Sequence, residues 1–144
     1  MSFQPYKNDN WAIRSGQDFR EVIIVRDPTQ PKINNPDYDS CDPDSPKKIY
    51  PQKDLAGYNV RMDIREKSDS SSTIIHSFEV GNGVTITGGA IEFFMDNSVT
   101  DSAPVTDYKG KTAHYDIFLI PPSPQDNMCI VYGSIPAIGS VTDV

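Results

Sequence analysis

The sequence has few of the residues that several protein classes need in quantity. Its 144 residues include two cysteines, Cys41 and Cys129, and a single tryptophan, Trp11. Two cysteines so far apart exclude a disulfide-dense scaffold and a zinc site of closely spaced cysteine pairs. Because a reducing cytoplasm is the default, we expect two free thiols. The alternative is a bond that ties residues 27–52 to the last strand or to a neighbouring subunit.

Basic residues are also scarce. The sequence has thirteen lysines and arginines and twenty acidic residues, which gives a formal net charge of -7. This is the wrong sign for binding a phosphate backbone, and no basic stripe compensates locally, so we expect no nucleic-acid partner. Mean hydropathy is -0.47, no apolar run approaches 18 residues, and the first ten residues lack the layout of a signal peptide. We therefore expect no membrane insertion and no Sec export.

Long uninterrupted segments are missing as well, because twelve prolines and nine glycines divide the chain into short runs. Few of these runs could form a helix of three turns. In residues 57–65 apolar and polar side chains alternate with period two, which predicts a strand with one apolar face. The same reasoning predicts eight short strands, at residues 11–13, 20–26, 57–65, 73–79, 84–87, 90–95, 112–120 and 128–134.

The composition and connections of these strands predict the architecture. The β-branched run in residues 20–26 favours a central strand covered on both faces. Glycines at residues 81–83 and 88–89 suit the tight turns of hairpins. We therefore predict an all-β fold, a single antiparallel β-sandwich of the immunoglobulin-like or jelly-roll-like kind, over residues 1–144 as one domain.

Residues 27–52 interrupt this pattern with six prolines among Asn and Asp residues. They predict a long proline-rich loop inserted into the sandwich. Loops of this length are uncommon in compact domains unless they bind something or are disordered. We take the loop as a docking segment, with five candidate interface residues: Pro36, Tyr38, Cys41, Pro43 and Tyr50.

The order of several segments resembles a known family. Residues 54–67, DLAGYNVRMDIREK, are similar to a strand common in tailed-phage virion proteins, and residues 81–93 are similar to the hairpin that follows it there. Residues 115–119 and 131–135 resemble the family's later strands, and residues 11–26 resemble its opening strands. The family is the small β-sandwich of phage tail and baseplate proteins, related to the N-terminal domain of upper baseplate proteins that carry receptor-binding fibres.

The resemblance implies a phage virion structural protein, associated with the tail or baseplate, that acts as an adaptor and has no catalytic activity. Its implied partners are other virion proteins of the tail, baseplate or fibres, with copies of the chain arranged in a symmetric ring. Its implied location is the virion, after assembly in the host cytoplasm. A capsid decoration or neck protein is the first alternative. An envelope-carbohydrate-active enzyme or a glycan-binding module is the second.

Acidic side chains crowd the predicted loop at Asp37, Asp39, Asp42 and Asp44. Carboxylates so close together are potential Ca²⁺ ligands, but the glycine and glutamate of an EF-hand loop are absent at the required spacing. A solvated acidic loop, balanced by nearby lysines, is the preferred interpretation. We expect no metal site.

No catalytic arrangement is recognisable elsewhere. His76 and His114 lie on predicted strands without a second metal ligand or a nucleophile motif, so we interpret both as structural. The carboxylates of Glu92 and Asp96 lie on strand or turn positions, and a glycosidase pair cannot be identified without geometry. The glycines at residues 81–89 miss the dinucleotide-binding pattern. We therefore predict no catalytic residues and no cofactor.

Overall fold

The computed structural model describes residues 6–122 and 126–138, and the chain is all-β, as predicted. One turn of α-helix, α1 (Asn97–Thr100), and a 3-10 turn at Val105–Tyr108 are the helical segments of this part. The strands are β1 (Tyr6–Lys7), β2 (Ile13–Arg14), β3 (Phe19–Ile24), β4 (Ile33–Asn34), β5 (Lys48–Ile49), β6 (Asn59–Arg65), β7 (Ile74–Val80), β8 (Gly83–Thr87), β9 (Ala90–Met95), β10 (Thr112–Ile120) and β11 (Met128–Ile138).

Strand β6 shows how period-two alternation becomes a two-faced sheet. Val60, Met62 and Ile64 are completely buried, whereas the intervening Arg61 is exposed and Asp63 half-buried. Successive side chains of a strand point to opposite faces, so the alternation places one set in the core and the other on the outer surface. β10 is sorted in the same way, with Ala113, Tyr115, Ile117 and Leu119 inside.

The main sheet has the hydrogen-bonded order β1-β11-β10-β6-β7-β8-β9-β3, with β2 also paired to β11. The prediction of purely antiparallel pairing is wrong at three places, because β1 and β2 run parallel to β11 and β7 runs parallel to β8. The first two arise because the N-terminal segment lies along the last strand in the same direction. Such a pairing joins the two ends of the sequence, so no local turn signal announces it.

The connection between β7 and β8 is a tight loop instead of the predicted hairpin. Glu79 pairs with Gly83 and Val80 with Val84 in parallel register, and the chain then continues to pair with β9. Gly81 and Gly83 have φ angles of 87° and 85°, which only glycine adopts readily. The predicted hairpin at residues 88–89 is confirmed, since β8 and β9 are antiparallel on either side of it.

Strand β3 is at the end of the sheet and not in its centre, so that prediction is wrong. Among the described residues it pairs with β9 alone. Ile23 and Val25 are buried, but Val22 and Ile24 are 51% and 47% exposed. A β-branched run indicates a strand, but it does not show whether a second layer covers the outer face.

The core joins strands from distant parts of this order. The Trp11 ring stacks on Tyr115 of β10 at a centroid distance of 5.5 Å and contacts Phe19 of β3 at 6.1 Å and Phe93 of β9 at 6.0 Å. Phe78 of β7 meets Phe19 and Phe93, each at 5.9 Å. The sheet is therefore curled, so that β10 and β7 line one apolar core together with β9 and β3.

Candidate functional site

The segment predicted as a long loop is a hairpin arm over residues 27–52, called the arm below. Its middle contains the antiparallel pair β4 and β5, in which Ile33 pairs with Ile49 and Asn34 with Lys48. The predicted long proline-rich loop therefore contains a short strand pair in its middle. The pair lies where two proline-free runs, KINN at residues 32–35 and KKIY at residues 47–50, face each other across the arm.

Hydrogen bonds fix the base of the arm to the rest of the protein. The Asp27 amide donates to the Pro51 carbonyl at 2.9 Å, and the Lys53 amide donates to the Val25 carbonyl at 2.8 Å. Nη1 of Arg26 donates to the Tyr50 carbonyl at 3.0 Å. The two ends of the arm are therefore adjacent, and the arm leaves the body at one point.

Consecutive turns build the tip of the arm. Nδ2 of Asn35 donates to the Pro46 carbonyl at 2.9 Å, and Oγ of Ser45 accepts from the Asp39 amide at 2.9 Å. Oδ1 of Asp39 accepts from the Cys41 amide, also at 2.9 Å. A short polar side chain can accept a hydrogen bond from the backbone amide two residues later. Such bonds fix a turn without the help of a hydrophobic core. The tip is an ordered structure held by its own hydrogen bonds.

The five predicted interface residues all lie on the arm and are exposed. Pro36, Tyr38, Cys41 and Pro43 belong to the tip, whereas Tyr50 is near the base. Every residue from 26 to 52 is exposed or half-buried, so the arm contributes nothing to the core. The structure therefore brings four of the predicted residues together and separates Tyr50 from them.

The acidic cluster of the tip serves the backbone. Asp39 and Asp42 each accept an amide hydrogen bond from the residue two positions later. Among residues 6–122 and 126–138, no group of three or more His, Cys, Asp or Glu side chains could hold a metal ion. Turn formation therefore accounts for two of the four aspartates, Asp39 and Asp42.

Three of the other singled-out polar residues, His76, Glu92 and Asp96, have structural partners or surroundings. His76 packs on Phe78 with a centroid distance of 4.7 Å, and burial lowers the pKa of its imidazole. Glu92 forms an ion pair with Arg20 at 2.7 Å. Asp96 caps α1 by accepting from the Ser98 amide at 3.0 Å. The two carboxylates considered as a pair therefore have separate roles.

The two cysteines are free thiols in the structure. Cys41 is exposed at the tip of the arm, and Cys129 is half-buried on β11, where burial raises the pKa of its thiol. Sγ of Cys129 lies 3.6 Å from the Val131 carbonyl.

The outer face of β6, β10 and β11 forms a groove of about 930 Å³, called the groove below. These three strands are its floor. Lys7 and Asp9 of the N-terminal segment line one side, and the turn between β6 and β7, residues 67–70, lines the other. None of the five predicted interface residues lines it.

Strand register arranges the outward side chains of the floor, of neighbouring β7 and of β1 in rows across the sheet. The central row has one residue from each of five neighbouring strands, in the order Ser77, Asp63, Asp116, Tyr132 and Lys7. On one side of it, Arg61 is opposite Phe118 and Phe118 is opposite Cys129. On the other side, the row is Arg65, His114 and Ser134.

Asp63 interacts with three neighbouring side chains. Its Oδ1 accepts from Nε of Arg61 at 3.0 Å and from Oγ of Ser77 at 2.8 Å, and its Oδ2 is 3.6 Å from Nη2 of Arg65. Two guanidinium groups and a hydroxyl thus hold this carboxylate in one orientation.

Asp116 is opposite Asp63 and has a different environment. Burial raises the pKa of its carboxyl above the usual range, the nearby Asp63 charge raises it further, and Arg65 opposes both effects. Asp9, on the wall, accepts from the Ser134 amide at 2.8 Å, and this bond is the main reason that its pKa is lowered. The groove therefore holds carboxylates whose surroundings shift their pKa values in opposite directions.

No known protein-family model matches the chain. The search of curated proteins likewise finds no match. In the described residues, none of the helices combines the length and the apolar character that crossing a membrane requires.

The groove could not be identified from single segments of the sequence. The alternation in residues 57–65 marks one face of β6 as polar, which is equally typical of a solvated face. What makes it a site is the register that places β10 and β11 beside it, with Asp116 and Tyr132 in the same row. One signal was available in β10, whose outward positions are His114, Asp116 and Phe118. Phenylalanine is more often buried than exposed, so its presence among these polar residues marks the face as unusual.

Proposed function

We propose that the chain is a structural protein of a phage virion, an adaptor of the tail or baseplate that docks neighbouring subunits or fibres without catalysis. The observation that carries the proposal is the arm, which is ordered by its own hydrogen bonds yet buries none of its residues in its own body. An ordered segment that does not support its own core is suited to supporting an interface with another chain.

The architecture supports an adaptor role if the two halves of the curled sheet are the layers of the predicted β-sandwich. One half is β1, β11, β10, β6 and β7, and the other is β8, β9 and β3. In the part of the chain that the structure describes, strand pairing connects them through two residue pairs, Glu79 with Gly83 and Val80 with Val84. Strands that cross between the sheets of a sandwich do so at such irregular corners.

The chemistry of the arm favours docking. Proline restricts the free chain and the tip turns are already formed, so binding would order few additional bonds. Tyr38 and Tyr50 are 40% and 37% exposed, and tyrosine is enriched where protein surfaces meet because it has a large apolar body and a polar end. We assign the arm as the segment that contacts the neighbouring subunit.

The remaining features of the proposal follow from the family resemblance. The partners are other virion proteins, and copies of the chain form a symmetric ring in which each arm contacts the next subunit. Assembly occurs in the host cytoplasm and the mature location is the virion. A capsid decoration or neck protein is the main alternative, because the same fold suits either position.

A complementation experiment tests the proposal. Phage particles are produced without the chromosomal copy of the chain but with a tagged copy that is either natural or has residues 28–50 replaced by Asn-Gly. Purified particles are separated into tails and capsids, and the tag is detected by immunoblotting. We expect the natural chain in tails and the arm-replaced chain in neither fraction.

The other outcomes contradict specific parts of the proposal. Detection of the natural chain only in capsids would favour the decoration or neck alternative. Its absence from particles would rule out a virion role. Equal incorporation of the arm-replaced chain would show that the arm is not the docking segment. A substitution away from the arm, Glu92→Gln, controls for the effect of expressing any altered chain.

A further inference from the structure

We propose that the groove binds a neutral, hydroxyl-rich ligand, namely an oligosaccharide. This inference concerns a surface separate from the arm and does not depend on the proposed virion role. It is carried by the shape of the groove, by the balance of its charges and by the rings exposed on its floor.

The shape of the groove suits an elongated ligand. Its volume of about 930 Å³ is near the upper end of the usual range for ligand sites, about 300–1,000 Å³. Within the groove the central row runs from Asp63 on β6 to Lys7 on β1, a distance of three strand spacings, or about 14 Å. A single sugar ring would leave most of such a row uncovered, whereas a chain of several rings can span it.

The charges of the groove are balanced. The lining includes four basic side chains, from Lys7, Arg61, Arg65 and Lys67, and four acidic ones, from Asp9, Asp63, Asp69 and Asp116. A polyanion would meet the carboxylates, and a polycation would meet the guanidinium and ammonium groups. A hydroxyl group both donates and accepts, whereas a carboxylate only accepts and a guanidinium only donates. Neighbouring hydroxyls of one sugar can therefore bond to both kinds of side chain without a net charge.

The polar groups are oriented before any ligand binds. Asp63 is fixed by Arg61, Arg65 and Ser77, which leaves Asp116 beside it with no hydrogen bond to its carboxylate from the described residues. Fixed groups lose little conformational freedom on binding, so more of their interaction is retained as affinity. Asp63 and the side chains that hold it therefore form a rigid set of donors and acceptors. Beside this set, the Asp116 carboxylate can still accept a hydrogen bond from a ligand.

Two rings complete the floor. Tyr132 is 44% exposed and is next to Asp116 in the central row. Phe118 is half-buried and lies two residues along β10, beside Arg61. Flat aromatic faces can pack against the C–H faces of a sugar ring, while the hydroxyls at its edge reach the neighbouring charged groups. The apolar and polar contacts that a sugar requires are thus side by side.

Binding is tested on a printed array of neutral oligosaccharides, including maltohexaose, cellohexaose and chitohexaose, with the purified full chain. Calorimetry with the strongest of these three then compares the natural chain with Tyr132→Ala and Asp63→Asn. We expect each substitution to weaken binding about tenfold or more. Tyr50→Ala on the arm and Glu92→Gln on β9, in a different part of the sheet from the groove, are the matched controls, and both should bind as the natural chain does.

Three results would overturn the inference. The first is that the natural chain binds the neutral sugars of the array no more strongly than the Tyr132→Ala chain does. The second is binding that Tyr50→Ala abolishes and Tyr132→Ala does not. The third is a preference for dextran sulfate that disappears with added salt, which would identify a polyanion surface. Circular dichroism of each variant establishes that a loss of binding is not a loss of fold.

Discussion

Asp63 and Asp116 are directly opposite each other on β6 and β10, with both side chains on the groove side of the sheet. Like charges at opposed positions of an antiparallel pair are destabilising. Arg61 and Arg65 reduce this effect on Asp63, but the Asp116 carboxyl retains a raised pKa. The fold therefore keeps a carboxylate where it does not favour folding, which is common at sites whose role is binding.

The first prediction is that Asp116→Asn stabilises the protein at neutral pH. The amide keeps the shape of the side chain and removes a partly buried charge that faces Asp63. The expected gain is about 0.2–1 kcal/mol, the range of cross-strand pairs. Urea denaturation, monitored by the fluorescence of Trp11, measures this gain in the free energy of unfolding, because Trp11 is the only tryptophan of the sequence.

The pH dependence of that gain checks its cause. A carboxyl with a raised folded pKa contributes stability that is fully present below its unfolded value, near 3.8, and is lost as the pH rises through the folded pKa. The advantage of the Asn variant should thus be absent below about pH 3.8 and complete at pH 7. Glu92→Gln, which breaks an ion pair with Arg20, should give no such gain. A gain that does not change with pH would contradict the electrostatic explanation.

Much of the strand pattern could be predicted from local sequence. Residues 59–65, 90–95 and 112–120 are strands at the predicted places because alternation, β-branched residues and glycine turns act over a few positions. Contacts between distant segments determine which strands are neighbours. The local sequence therefore does not indicate that β1 pairs in parallel with β11 or that β3 lies at the edge of the sheet. Val22 and Ile24 illustrate this limit, since their residue type predicted burial and their place in the sheet left them exposed.

The same limit applies to the candidate sites. The arm was detectable because proline and Asp composition changes abruptly within one segment, although its β4–β5 pairing was not foreseen. The groove draws its residues from β6, β10, β11 and the N-terminal segment. Its central row exists only in a particular register, and a shift of one residue would turn Asp116 into the core. No single stretch of the sequence contains that information.

The second prediction concerns the loop between β7 and β8. Gly83→Ala should destabilise the protein strongly, because a Cβ there would lie 2.7 Å from Cδ1 of Phe78 and 2.9 Å from the Phe94 carbonyl oxygen. The positive φ should cost about 1–2 kcal/mol and the overlap about 1–3 kcal/mol more. Chemical denaturation measures the sum.

Gly81→Ala is the matched control for that substitution. Gly81 has nearly the same φ, but a Cβ there would meet nothing within 4 Å. It should lose only the conformational part, so the difference between the two variants isolates the close approach of Gly83 to Phe78. Equal losses would mean that the loop moves freely, and that Gly83 does not fix the corner of the sheet.

The third prediction tests whether the two halves of the sheet share one core. Phe78→Ala should cost about 3–5 kcal/mol, because Phe78 is fully buried and contacts Phe19 and Phe93 from the other half. Phe94→Ala, on the outer face where Arg20 lies 4.7 Å from the ring, should cost about 1 kcal/mol or less. Similar losses for both, measured by urea denaturation, would argue against a common core.

The fourth prediction is that the arm is independent of the folded body. Replacing residues 28–50 with Asn-Gly should leave the thermal transition in place or slightly higher, because no residue of the arm is buried and a shorter loop loses less entropy on closure. The Asp27 amide is already hydrogen-bonded to the Pro51 carbonyl at 2.9 Å, so a two-residue linker is long enough to join these residues.

A longer replacement serves as the comparison for the arm. Removing residues 26–52 also removes Gln52, whose Oε1 accepts from the Gly89 amide at 3.2 Å, and the bridge between Arg26 and Gln52. We expect this version to melt earlier than the shorter replacement, because the Gly89 amide at the β8–β9 turn loses its partner. If the shorter replacement already unfolded the protein, as measured by circular dichroism and calorimetry, the arm would be part of the fold. In that case its exposure would no longer support a docking role.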